Sequence, residues 1–135
     1  IATGAILDVQ PLGPPYSEFI HDHDLIGKYR KNAESLGRVF SPPSTKVAGS
    51  TDMANVSLLM PTIHPMLGLD SGTAVNHQPE FAAYCRTPDA DRAAVEGALA
   101  MALTAVDAAS DDETRTRLLG HKTSYIELGE YPWSF

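Results

Sequence analysis

A carboxylate, two imidazoles and a run of small hydroxylated residues fall within one short span, Gly49 to His77. Gly49-Ser50-Thr51-Asp52 supplies free backbone donors and hydroxyls. His64 follows in Pro61-Thr62-Ile63-His64-Pro65, and His77 in Asn76-His77-Gln78-Pro79-Glu80-Phe81. Neutral imidazole is the commonest metal ligand, but one histidine does not make a metal site; His77 reads either as a ligand or as a hydrogen-bonded or surface residue. His64, in an apolar run, reads as a core or pocket-edge histidine, with a ligand role as the alternative. Asp52 is open between a helix cap, a carboxylate behind a ligand and a ligand itself, the cap being the simplest. The loop lacks the lysine and glycine spacing of a P-loop, so nucleotide binding has little support.

The other chemistry-bearing residues have blander readings. His21 and His23 alternate with Asp22 and Asp24 in a pattern of metal-ligand types, but on a polar turn ahead of a helix the simpler reading is a capped, solvated start. Cys85 has no histidine near it in sequence and reads as a small buried residue. His121 follows a glycine and has no identifiable partner.

Elements must position these groups. Ile1 to Val9 reads as a strand, and the cluster Gln10-Pro11-Leu12-Gly13-Pro14-Pro15 ends it as a stiff linker. Leu25, Tyr29, Ala33 and Leu36, spaced four, four and three, predict a helix from about Asp24 to Leu36, with Asp22 or Asp24 as cap and Gly37 as left-handed terminator. Arg38 to Phe40 reads as a short strand or turn, and Ser41-Pro42-Pro43-Ser44 as loop. The apolar pair Val47-Ala48 leads into the Gly49 loop. A short helix then begins at Met53, capped by Thr51 or Asp52 and stopped by Pro61; its unpaired N–H groups suit a substrate carboxylate. Ile63 to Leu69 reads as an edge or bulged strand, Asp70 to Thr73 as a turn, and Gln78 to Tyr84 as another short helix.

The longest helix starts at Thr87-Pro88, with Asp89 and Asp91 at its positive end. Val95, Leu99, Ala102 and Val106, widened by Ala94, Ala98, Met101 and Ala105, predict a stripe packed on a sheet, and Gly97 permits close approach. A last helix runs from Asp111-Asp112-Glu113 to Leu118-Leu119 and ends at Gly120. The tail contains Tyr125, Ile126, Leu128, Tyr131, Trp133 and Phe135, too aromatic for a purely solvated segment.

The chain of 135 residues is long enough for one modest domain. It begins at Ile1 without an initiator methionine, and its first strand lacks partners, so it reads as a fragment. Ten basic against 17 acidic residues give a net charge of -7, which disfavours nucleic acid and anionic membranes as partners. Its single cysteine excludes an internal disulfide; a reducing cytoplasm is the simpler reading, with an exported protein lacking disulfides as the alternative. Nothing reads as a signal peptide, and the apolar stretch Ala98 to Ala109 is too short and interrupted to span a bilayer, so the expectation is a soluble protein.

Four ordered blocks carry a resemblance: Gly-Ser-Thr-Asp-Met-Ala-Asn-Val-Ser at 49 to 57, Pro-Thr-Ile-His-Pro at 61 to 65, Asn-His-Gln-Pro-Glu-Phe at 76 to 81, and Ala-Leu-Ala-Met-Ala-Leu-Thr-Ala-Val-Asp at 98 to 107. Together they resemble metal-dependent amidohydrolases of the zinc exopeptidase family that includes aminoacylase, carboxypeptidase G and aminobenzoyl-glutamate hydrolase. The resemblance covers roughly Ile1 to Ser110. Many relatives carry Gly-Ala-Glu-Asp-Phe at the loop and His-Ser-Pro at the histidine; the Gly-Ser-Thr-Asp-Met and His-Gln-Pro found here favour the aminobenzoyl-glutamate-hydrolase-like branch.

The resemblance implies an α/β fold, a three-layer sandwich of which this chain is the C-terminal part. Residues 1–10 would be the last strand of an α+β lid that mediates dimerisation, and residues 11–135 part of the catalytic domain. It implies two divalent metal ions, zinc first, with manganese or cobalt as alternatives, and hydrolysis of an amide in an N-acyl amino acid, dipeptide or similar small carboxylate-bearing substrate. His77 matches the last metal ligand. Gly49, Ser50 and Thr51 match a substrate-lining loop, His64 would line the pocket wall, and Asp52 would stand behind the site or cap the helix. The histidine-aspartate motif, bridging aspartate and paired glutamates, the general base among them, are not in this chain. The missing N-terminal part of the same enzyme is therefore an expected partner, no catalytic residue is assigned here, and the isolated chain is expected to be inactive. The alternative is a non-catalytic ligand-binding or interaction domain with the same fold.

Overall fold

The computed structural model describes residues 4, 6–8, 10, 12–13, 15–40 and 49–121. Five helices follow in order: α1 His23–Ser35, α2 Met53–Ser57, α3 Pro79–Tyr84, α4 Pro88–Ser110 and α5 Asp112–Leu119. Among the described residues there is no strand, so the expected three-layer α/β sandwich and its lid strand are corrected to a helical arrangement. Most of the expected first strand, the loop at Ser41 to Ser44, the pair Val47-Ala48 and the aromatic tail lie outside the described residues.

The local signals for the helices act as expected. Asp22 caps α1 by accepting from the Leu25 N–H at 3.0 Å. At its other end Gly37 has φ 89; its N–H donates to the Glu34 carbonyl and that of Arg38 to Ala33, both at 3.0 Å, the paired bonds of a Schellman terminator. Thr87 accepts from Ala90 ahead of Pro88 at the start of α4, and Asp111 accepts from Thr114 at the start of α5.

The expected strands fail because no neighbouring strand takes their backbone groups. Ile6 and Leu7 are almost fully exposed. The extended segment from Tyr16 to Asp22 is held by side chains instead: the Ser17 N–H donates to Asn55 Oδ1 at 2.8 Å and that of Ile20 to Ser57 Oγ at 2.9 Å. A single backbone bond, from Asp22 to the Thr62 carbonyl, joins it to the next extended segment. Residues 38–40 and 63–69 likewise form no strand.

The core lies where α1 crosses α4. Tyr29, Ala33 and Ala100 are buried, with Leu36, Phe40 and Ile63 packed around them. Asn32 crosses this contact, donating from Nδ2 to Asp107 Oδ2 at 2.8 Å and to Thr104 Oγ1 at 3.4 Å. The buried face of α4 is therefore small: Ala93, Gly97, Ala100, Thr104 and Ala108. This reverses the expected stripe, since Val95 is 67%, Leu99 44% and Val106 60% exposed. Small residues let two helix backbones approach closely, and no sheet lies on the opposite, larger-residue face among the described residues. Gly97 does serve close approach, to Leu67, whose Cδ1 would lie 2.1 Å from an added Cβ.

By length and composition α4 could cross a membrane, with mean hydropathy 1.3 over its most apolar window, so the expectation of a stretch too short to span does not hold for the helix as a whole. Here one face of it packs against α1.

Candidate functional site

The loop that begins the expected site is exposed at Gly49, Ser50 and Asp52 and half-buried at Thr51. Asp52 occupies the N-cap position of α2, but its side chain makes no capping bond. The neighbouring Thr51 Oγ1 accepts from the Met53 N–H at 3.3 Å and lies 3.4 Å from Asp52 Oδ1. The side-chain cap thus comes from the hydroxyl, which leaves the Asp52 carboxylate facing solvent. With five residues, α2 aligns too few peptide units to make its N-terminus an anion site by itself.

His77 stands on the turn before α3, exposed, with φ 65. It is the one non-glycine residue with positive φ among the described residues. This left-handed conformation costs an L-residue roughly 1–2 kcal/mol and is found where surrounding structure dictates it, functional sites included. The preceding turn is well tied: the Asp70 N–H donates to Asp89 Oδ2 at 3.2 Å, and Ser71 Oγ donates to the Ala74 carbonyl at 2.9 Å. Gly72, at φ 56, leaves room for the Tyr84 hydroxyl. The turn that precedes His77 is thereby tied to the start of α4.

His64 lies in a different setting. Together with His21 it rests on Phe19, whose ring centroid is 4.5 Å from His21 and 6.3 Å from His64. Both imidazoles line a cavity of about 260 Å³ between α1 and the segment after Pro61. Neither this cavity nor a larger apolar one of about 530 Å³ between α4 and α5 includes His77 or residues 49–52.

The described residues contain no group of three metal-binding side chains. His77 is a single candidate ligand, so this part of the chain does not by itself fit a two-metal centre. His21 and His23 form the capped helix start of the simpler reading, with Asp22 committed to the Leu25 N–H and to Arg117. Cys85 is exposed at the end of α3 rather than buried, because that helix buries no residue. His121 has a partner that sequence spacing could not supply, the Leu59 carbonyl at 3.1 Å.

Sequence reasoning missed the acid–base lattice joining α1 to α5. Arg117 reaches Asp22 at 2.5 Å and Asp24 at 3.1 Å, Lys28 lies 3.6 Å from Asp24 and 3.5 Å from Asp111, and Thr114 Oγ1 donates to Asp24 at 2.8 Å. Burial alone would raise the Asp22 carboxyl, but hydrogen bonds from Arg117 and the Leu25 N–H hold it below its ordinary 3.8. The Thr114 hydroxyl, then Arg117, hold Asp24 below 3.8 as well. The alternating charges at 21 to 24 were the available signal; the partner 95 residues away was not.

Over 110 residues the chain is 30% identical to the Xaa-Arg dipeptidase of Mus musculus and 29% identical to that of Homo sapiens. Each match covers 79% of this chain and 25% of the relative, so the chain spans about a quarter of the length of the curated proteins it matches. No family model and no solved structure matches it. The similarity supports a place among peptidases and amidohydrolases without selecting a branch.

Proposed function

We propose that this chain is part of a metal-dependent hydrolase that adds water across the amide bond of a dipeptide, N-acyl amino acid or similar small carboxylate-bearing substrate, releasing a carboxylate and an amine. The observation that carries the reading is His77: an exposed imidazole held at φ 65 on a tied turn, in a chain similar to two dipeptidases. A histidine placed at a backbone cost is better explained by a task for its side chain than by packing, since it is exposed.

In this reading His77 is one ligand of a centre of two divalent ions, zinc first, with manganese or cobalt as alternatives. Such ions would polarise the scissile carbonyl and activate water. Gly49, Ser50 and Thr51 receive the polar end of the substrate, His64 lines the pocket wall, and Asp52 supports the site from behind. The remaining ligands and the general base belong to the rest of the enzyme, with residues 1–10 closing a lid unit that dimerises it and residues 11–135 belonging to its catalytic unit. The branch nearest aminobenzoyl-glutamate hydrolase, a cytoplasmic location, and the absence of nucleic-acid and membrane partners complete the proposal.

The test is made on the complete enzyme, by elemental analysis and turnover of a dipeptide panel. His77→Ala should remove most activity and part of the bound metal. Unchanged turnover with unchanged metal stoichiometry would overturn the assignment.

A further inference from the structure

The cavity that holds His64 has a chemical character of its own. Among the described residues its polar lining consists of His21, Tyr29, Arg30 and His64, with no carboxylate, in a chain whose net charge is -7; Tyr29 is buried, while Arg30 and the two imidazoles are exposed. The remaining lining is apolar, with Phe40, Ile63 and Met66 among it. Aromatic rings, not acids, hold the cationic and imidazole groups: Phe19 supports both imidazoles, and the Arg30 guanidinium sits 4.9 Å from the centre of the Phe40 ring. A cation over a ring keeps its N–H groups unspent. Tyr29 is 4% exposed, and its hydroxyl has no hydrogen-bond partner among the described residues.

A buried hydroxyl without a partner costs roughly 1–3 kcal/mol unless something meets it. Donors gathered without a compensating acid select an anion, and the apolar remainder selects a ligand with a hydrocarbon body. A volume of about 260 Å³ lies below the roughly 300–1,000 Å³ of sites for drug-sized ligands, which favours a small ligand.

We infer that the cavity bounded by His21, Tyr29, Arg30, Phe40 and His64 is a binding site for a small monocarboxylate with an apolar body. The carboxylate pairs with Arg30 and accepts from an imidazole N–H, while the body lies against Phe40, Ile63 and Met66. The cavity includes neither His77 nor residues 49–52 and meets the reading above only at His64, so the carboxylate held here is not the substrate end received at Gly49 to Thr51, and its binding does not rest on that reading.

The probe is 4-methylpentanoate, with 4-methylpentanamide as its uncharged isostere, titrated into the complete enzyme isotope-labelled at arginine, phenylalanine and histidine and followed by NMR. Saturable shifts are expected at Arg30, Phe40 and His64, with the amide at least tenfold weaker. Arg30→Met should weaken carboxylate binding at least fivefold, and Arg30→Lys should keep it within about threefold. Equal affinities for acid and amide, shifts that do not saturate or that map elsewhere, or an Arg30→Met chain that binds unchanged would overturn the site. If a variant lost its fold, the acid–amide comparison on the unaltered chain would still decide. No turnover is read in this titration, so failure of the carboxylate site and failure of the hydrolase reading are separate results.

Discussion

Arg117 on α5 forks onto Asp22, the N-cap of α1, donating from its two terminal nitrogens at 2.5 and 3.1 Å. Asp22 is mostly buried and also caps the helix, so one carboxylate fastens the last described helix to the start of the first. Because Arg117 is itself 42% exposed, solvent screens the pair and its contribution is about 1 kcal/mol.

Acid should expose this link. The Asp22 and Asp24 carboxyls lie below their ordinary 3.8 in the folded chain, so the stability they contribute is present above pH 3.8 and lost as pH falls through the folded values. Arg117→Met should cost about 1 kcal/mol at neutral pH and flatten the acid limb. Urea midpoints measured from pH 6 downward check this; parallel curves for the two chains would contradict it.

Leu67 covers Gly97, so Gly97→Ala combines opposing effects. Alanine favours the helix by about 1 kcal/mol, while its Cβ displaces the half-exposed Leu67 side chain. In a Leu67→Ala background only the first effect remains. There Gly97→Ala should stabilise the chain by about 1 kcal/mol, and by clearly less in the unaltered chain, as a double-mutant cycle of thermal unfolding would show.

Asn32 joins α1 to Asp107 and Thr104 at the helix crossing. Removing its amide leaves a half-buried carboxylate without its donor, so Asn32→Ala should cost about 1–2 kcal/mol in denaturant unfolding. A change below about 0.3 kcal/mol would mean that water replaces the bond at no cost.

His77→Gly should separate stability from function. Glycine adopts φ 65 without strain, so the 135-residue chain should gain about 0.5–1 kcal/mol. The complete enzyme should lose most of its turnover with the same change. A destabilised chain would show that the imidazole contributes packing instead.

Substitution on the open face of α4 should depend on what surrounds it. Val106→Lys in this chain should change stability by less than about 0.5 kcal/mol, because Val106 already faces solvent. If the rest of the proposed enzyme covers that face, the same change there should cost several times more; equal effects in both would contradict such cover.

Residue types and spacing alone marked where α1, α4 and α5 begin and where α1 ends. Asp22, Gly37, Thr87, Pro88 and Asp111 act within a few residues of themselves, so their capping and terminating effects are local and readable along the chain. The resemblance of the Gly49 to His77 blocks pointed to a hydrolase, and the two dipeptidases support that class. Tertiary structure decided the rest, because it turns on partners distant in sequence. Periodicity marked an apolar stripe on α4 but could not say that α1, through Ala33 and Asn32, would pack on the small-residue face and leave Val95, Leu99 and Val106 open. Apolar runs read as strands found no ladder, since a strand exists only with a neighbour to take its N–H and C=O groups. The shared seat of His21 and His64 on Phe19 and the left-handed backbone of His77 also lay beyond composition and spacing, because both are fixed by how the chain returns on itself.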